Sequence, residues 1–131
     1  MAHPAAESKA VRKVNPSYQE ITIADGETEP AAGVYIKREH MDLVGIETDA
    51  EFDGSKITWY GARTKALADA GTWVDMNWGG SAKETTIAAS SSSGEDPLHF
   101  AMYRFLRPVS DAAQDGADTV IGVICRDFTR V

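Results

Sequence analysis

The stretch Ile57 to Trp78, ITWYGARTKALADAGTWVDMNW, holds all three tryptophans of the chain and decides how the rest is read. In its second half Val74, Met76 and Trp78 alternate with Trp73, Asp75 and Asn77, the period-two pattern of a strand with one apolar face. In its first half Ile57 and Trp59 face one way, Thr58 and Tyr60 the other. TKALADAG between them is too short for a stable helix alone and is expected to make a single helical turn or a wide loop. Trp59, Val74, Met76 and Trp78 then point into a core. Trp73 and the TKALADAG connection lie outside.

The flanking sequence continues the β pattern in both directions. Towards the N-terminus, QEITIADG alternates Ile21 and Ile23 with Thr22 and Ala24 before an Asp25-Gly26 turn. VYIKRE follows with Val34 and Ile36 on one face. In HMDLVGIETD Val44 with Ile46 or Met41 with Leu43 could supply the buried face, and both are expected to be partly covered. Towards the C-terminus, Gly79-Gly80 stops the organising stretch and KETTIAAS reads as a short strand around Thr86 to Ala88. SSSSGEDP reads as a polar loop. Leu98 to Arg107, LHFAMYRFLR, is the densest apolar run, read as a strand apolar on both sides and ended by Pro108. After the loop VSDAAQDGAD comes the last strand, TVIGVICRDF. Eight candidate strands separated by Gly, Asp and Pro predict an all-β fold, an antiparallel β-sandwich whose strand count suggests a jelly roll.

At 131 residues the chain is the size of one domain with one core. Its formal charge of −7 is unevenly placed. Residues 1–18 carry Lys9, Arg12 and Lys13 against Glu7, so residues 19–131 carry −9. The division expected is an extended basic N-terminal arm, 1–18, that orders only against something else such as a neighbouring acidic surface, and a sandwich domain, 19–131. An acidic body argues against nucleic acid as a partner, because phosphate contacts need clustered Lys and Arg. No run approaches the roughly 20 apolar residues of a membrane span, and the N-terminus lacks the apolar centre of a secretory signal. Residence in a reducing cytoplasm, at least during synthesis, is therefore expected. The single Cys125 excludes an internal disulfide and is expected to be a buried small hydrophobe.

No stretch carries a recognisable chemistry. Asp49 to Gly54, DAEFDG, opens like a calcium loop, but Glu51 takes the second ligand position and Tyr60 stands where the closing Glu belongs. His40 beside Glu39 and Asp42, and His99 near Glu95 and Asp96, lack metal-ligand spacing. A triad with one of Ser90 to Ser93 has no G-x-S-x-G elbow to support it. No metal, cofactor or catalytic residue is assigned. An outward Trp73 flanked by Asp75 and Asn77 could stack on a sugar, as in a carbohydrate-binding module, or anchor a protein interface.

Three stretches together resemble small β-sandwich virion proteins of tailed bacteriophages. EITIADGETEPAAGVYIKREHMDLVGIET supplies an I-x-I-A-x-G opening in Ile21, Ile23, Ala24 and Gly26, and an L-x-G-I element in Leu43 to Ile46. ITWYGAR with GTWVDMNW forms the middle. MYRFLRPVSDAAQDGADTVIGVICRDF supplies Arg104, Phe105, Arg107, Gln114 and the run Thr119 to Arg126. The chain departs from the pattern at Asp49 to Asp53, where Pro and Trp often follow the L-x-G-I strand. The resemblance covers residues 19–128 and implies a non-enzymatic head decoration or cement protein. It would sit on the virion head surface as a homo-oligomer, with trimers preferred, bound to the major capsid protein. Capsid contacts are expected from Val11, Arg12, Lys13, Val14 and Tyr18 of the arm. Subunit contacts are expected from Trp73, Phe100, Tyr103 and Phe105. A head-tail adaptor or tail protein is the alternative within the virion.

Overall fold

The computed structural model describes residues 17–78 and 80–127, Trp78 through its backbone only. Among the described residues there are eleven strands: β1 Ser17–Ile23, β2 Ile36–Lys37, β3 Asp42–Thr48, β4 Lys56–Ala62, β5 Val74–Asp75, β6 Asn77–Trp78, β7 Ser81–Ala82, β8 Glu84–Thr86, β9 Ser92–Gly94, β10 Phe105–Ser110 and β11 Thr119–Arg126. One sheet has the order β1-β11-β3-β9 and the other β2-β10-β4-β5, with β8 also pairing β4. Counting β1 to β5 and β9 to β11 as strands one to eight, the orders are 1-8-3-6 and 2-7-4-5. Strand one pairs with eight, two with seven, three with six and four with five, as when a long hairpin is rolled up, and this is the jelly roll. All pairings between named strands are antiparallel.

The expected strand count of eight is right, but one member differs. The serine run expected as a loop supplies β9, an edge strand that pairs Ser92, Ser93 and Gly94 with Glu47, Ile46 and Gly45 of β3. TTIAA, expected as a framework strand, gives the accessory β8. Ser17 and Tyr18, expected in the arm, belong to β1. Val34, expected to share a buried face with Ile36, is exposed.

The core between the sheets takes Ile21, Ile23, Leu43, Ile46, Ile121 and Val123 from one side and Ile36, Ile57, Trp59 and Leu106 from the other. Leu43 and Ile46 are three apart yet both buried, which plain alternation forbids. A bulge at Val44 reconciles them: Ile124 faces Gly45 while Cys125 faces Leu43. The extra residue's carbonyl accepts a hydrogen bond from the Glu95 amide at 2.8 Å. Pro108 does not end β10 but sits inside it, opposite Trp59. Two residues on, the Ser110 amide donates to Thr28 rather than to β4. By the same period the Pro108 nitrogen also faces away from β4, and its missing N–H disturbs no bond of that ladder.

Two side chains close gaps that the strands leave. The Gln19 amide donates to the Lys37 carbonyl at 2.6 Å and accepts from the Lys37 amide at 3.0 Å, joining the edge strands β1 and β2 of opposite sheets. Buried Gln114 accepts from the Asp53 amide at 3.1 Å, while its backbone carbonyl receives the Gly26 amide at 2.8 Å. Three loops at one end of the sandwich are thereby tied together.

Trp59 anchors the segment inserted between β5 and β9. Its indole N–H donates to the Thr85 hydroxyl at 3.0 Å, which donates to Glu95 at 2.5 Å, and Glu95 pairs with Lys83 at 2.8 Å. The Lys83 ammonium lies over the Phe100 ring, which packs edge-on against Trp59. The Lys83 and Glu95 side chains are only 11% and 4% exposed. Removing one partner of such a pair leaves an uncompensated buried charge. Lys83→Met is expected to lower stability by about 3–5 kcal/mol, and adding Glu95→Gln to recover most of that loss, measured by urea unfolding. Equal losses in the single and double variants would contradict a buried pair.

Candidate interaction surfaces

The outer face of the β2-β10-β4-β5 sheet carries a second, smaller cluster. Helix α1, Lys65–Asp69, is capped by the Thr64 hydroxyl, which accepts from the Leu67 amide, and it buries Ala68. Ala68 packs with Ala62 and Phe105, and Tyr35 and Trp73 close the cluster. Tyr35 meets both Trp73 and Phe105 edge-on, and its hydroxyl donates to Asp69 at 2.5 Å. Arg107 lies 5.9 Å from the Trp73 ring centre, pairs with Glu29 at 3.1 Å and donates to the Pro30 carbonyl at 2.7 Å. Trp73 is thus on the outer side, as expected, but half-buried with one ring face taken by a guanidinium. That arrangement disfavours a flat platform for a sugar. Asp75 and Asn77 are exposed on the same segment.

The residues expected at subunit contacts are mostly spent on packing. Phe100 is fully buried against Trp59, and Phe105 is buried in the outer cluster. Neither can meet another subunit without opening the fold. LHFAMYRFLR is not one strand: Pro97–Phe100 is a 3-10 helix, a turn follows, and β10 starts at Phe105. The signal for this was Asp96-Pro97. Asp96 accepts from the Leu98 amide as an N-cap, and proline favours the first helical position.

The 3-10 helix and its turn instead expose Leu98 at 64% and Met102 at 63%. Buried Arg38 holds this corner, donating to the carbonyls of Tyr103 at 2.8 Å, Met41 at 2.6 Å and Ala101 at 3.2 Å. Half-buried Tyr103 lies across Gly61, where its ring leaves no room for a Cβ. Tyr103, Leu67, Val74, Ala62 and Thr72 line an apolar groove of about 270 Å³. Val74, expected inside, is 48% exposed here, because it pairs with Gly61 near the end of β4 on the edge strand β5, while Met76 is buried. The ring of Trp78, and Val11 to Val14, lie outside the described residues.

Tyr18 is about half exposed on the outer face of the other sheet, its ring over Gly122. Burial together with Glu47 and Glu20 pushes its hydroxyl up to about 12. Burial likewise raises the Cys125 thiol to about 11, partly offset by Arg38, so it is a buried thiol as expected.

At one end of the sandwich the carboxylates cap loop amides. Asp49 accepts from the Thr119 hydroxyl at 2.6 Å and the Val120 amide at 2.9 Å, and Asp53 accepts from the Asp115 amide at 2.7 Å. Asp111 accepts from Ser55 and Lys56, and Asp118 from the Asp25 amide. Among the described residues no group of His, Cys, Asp or Glu is arranged to hold a metal ion. In DAEFDG the Asp49 and Asp53 carboxylates are engaged in these hydrogen bonds. The Ser91 and Ser93 hydroxyls donate to the Ala89 and Gly94 carbonyls, while His40 stands 3.5 Å from Asp127 and His99 3.9 Å from Asp96.

The fold and these surfaces define a jelly-roll β-sandwich with apolar and acidic outer patches. No protein-family model matches the chain, and no curated protein matches it in sequence. Among solved structures, the crystal structure of the SPBc2 prophage-derived protein YomS aligns at a TM-score of 0.49 and 13% identity, covering 84% of this chain and 94% of that one.

Burial raises the Asp49 carboxyl, but the hydrogen bonds from Thr119, Val120 and Glu51 outweigh it and hold the group below its ordinary value. A carboxyl depressed in the folded state adds stability above its unfolded value near pH ~4 and loses it as pH falls through the folded value. Asp49→Asn should therefore unfold at lower urea than the native chain at pH 7, with the gap closing below pH ~4. A gap that stays constant to low pH would contradict this role.

Proposed function

We propose that the chain is a structural protein of a tailed-phage virion, most specifically a decoration or cement protein that binds the outer head surface as a homo-oligomer and acts without catalysis. The observation that carries this reading is the corner at Leu98 and Met102, both more than 60% exposed. The Asp96 cap holds it at Leu98, Arg38 binds the Ala101 and Tyr103 carbonyls that flank Met102, and Tyr103 leads into the groove of Leu67 and Val74. Apolar side chains held rigidly in water mark a protein contact. The resemblance of the opening, middle and closing stretches to virion proteins supplies the partner, the major capsid protein. Binding only to the assembled shell would stabilise it by mass action, and many copies would multiply a modest contact energy.

The corner and the groove replace Phe100 and Phe105 as the contact surface. A head-tail adaptor or tail protein would use the same corner in far fewer copies per particle. In a test with purified undecorated heads, the native chain should bind at a stoichiometry set by the capsomer lattice. Leu98→Asp with Met102→Asp should weaken that binding by roughly tenfold or more, since each apolar side chain is worth about 1.5–3 kcal/mol when buried. Unchanged occupancy would remove the corner from the contact.

A further inference from the structure

The two outer faces of the sandwich are finished differently. One is covered by α1, Tyr35, Trp73 and the Arg107–Glu29 pair. Among the described residues the other, formed by β1, β11 and β3, carries no such layer. It presents Tyr18 over Gly122 with half-buried Val120 and Ile124 alongside. A groove of about 250 Å³ on this face is lined by Tyr18, Glu20, Glu47, Thr48, Asp49, Val120 and Gly122. Among the described residues three carboxylates and no cation line it, and Arg126 stands at the end of β11 on the same face.

Size and charge select the occupant. Strands of seven or eight residues at about 3.4 Å per residue and about 4.8 Å apart give a footprint on the order of 350 Å². A stable interface takes roughly 800 Å² from each partner, so a second copy does not dock flat on this face alone. An extended segment of about six residues, roughly 20 Å long, does fit its length. The segment must be basic, with apolar residues for Tyr18, Val120 and Ile124. Residues 9 to 14 meet that description: Lys9, Arg12 and Lys13 are interleaved with Ala10, Val11 and Val14.

We propose that this face receives Lys9 to Val14 of a second copy of the chain, so that copies are joined by exchanged arms. The chain's own arm is the poorer occupant, because laying it on the face demands a tight reversal next to β1. Proline keeps the residue before it out of the right-handed helical region, which disfavours a type I turn centred on Asn15-Pro16. Ser17 is already extended and paired with Cys125, which bars a turn centred on Pro16 and Ser17. The residues before β1 can instead span up to about 55 Å, enough to reach a neighbour. A contact of arm to face is heterologous and closes into a ring when the rotation permits. This assigns Val11 to Val14 to a neighbouring copy instead of to the shell, and it holds whether or not the chain decorates a head.

Charge reversal in the full-length chain tests the contact, read by light scattering on a sizing column at low salt. The native chain should form oligomers. Lys9→Glu with Arg12→Glu and Lys13→Glu in one variant, and Glu20→Lys with Glu47→Lys in another, should each weaken assembly at least tenfold. Mixing the two variants should restore assembly between them, which also shows that both are folded. A monomeric native chain, oligomers indifferent to either reversal, or variants that fail to rescue each other despite native circular dichroism would overturn the proposal.

Discussion

The buried circuit around Trp59 is the constraint on which the rest of the sandwich depends. The indole needs a partner for its N–H in a place without water, and Thr85 supplies it while its own hydroxyl donates a hydrogen bond to Glu95. Glu95 is tolerable there because Lys83 neutralises it, and Lys83 in turn rests on Phe100, whose edge contact with Trp59 closes the loop. β4 is thereby fastened to β8, to the end of β9 and to the 3-10 helix, three successive elements within residues 84–100. The backbone follows the same plan: the Trp59 amide donates to Lys83, Lys83 donates to Met76, and Met76 donates to Trp59. The corner that exposes Leu98 and Met102 begins one residue beyond this circuit's Glu95 and Asp96 cap, so its position is inherited from the core.

Against that shared core, the outer surfaces differ in kind. One sheet is backed by a small aromatic cluster under a helix, and the other is left with Tyr18, two aliphatic residues and carboxylates. The loop end nearest Asp49 is acidic as well, yet its carboxylates are occupied in capping amides. Negative charge therefore serves two purposes: holding loops in place at one end, and giving the bare sheet a preference for basic partners.

Much of the fold was legible because period-two patterning survives wherever one face is buried. QEITI, ITWYGAR and TVIGVICRDF all gave strands with the expected residues inside, and the jelly roll followed from their number. Three features escaped for local reasons. The bulge at Val44 breaks the alternation, so HMDLVGIETD buries Leu43 and Ile46 together; that both faces are partly covered was expected, but the bulge was not. The edge strand β9 consists of serine and glycine and owes its pairing to β3, not to its own propensity. Hydrophobic density in LHFAMYRFLR concealed a helix start that Asp96-Pro97 encodes. The proposed contact surface was the least legible part. Phe100 and Phe105, expected to face a partner, are buried by packing, Trp73 and Tyr103 are half-buried, and Leu98, Met102, Leu67 and Val74 are exposed instead.

A jelly roll whose exposed features are an apolar corner, an apolar groove and a bare acidic sheet is suited to holding other proteins, with its stability and its contacts drawn from the same packed frame. The most direct measurement is an electron-microscopy map of particles that carry this chain. Many copies on the outer head surface at junctions between capsomers, with the Leu98–Met102 corner against the shell, is the predicted result. Density confined to the neck or tail, or a corner facing solvent in every copy, would contradict the decoration role.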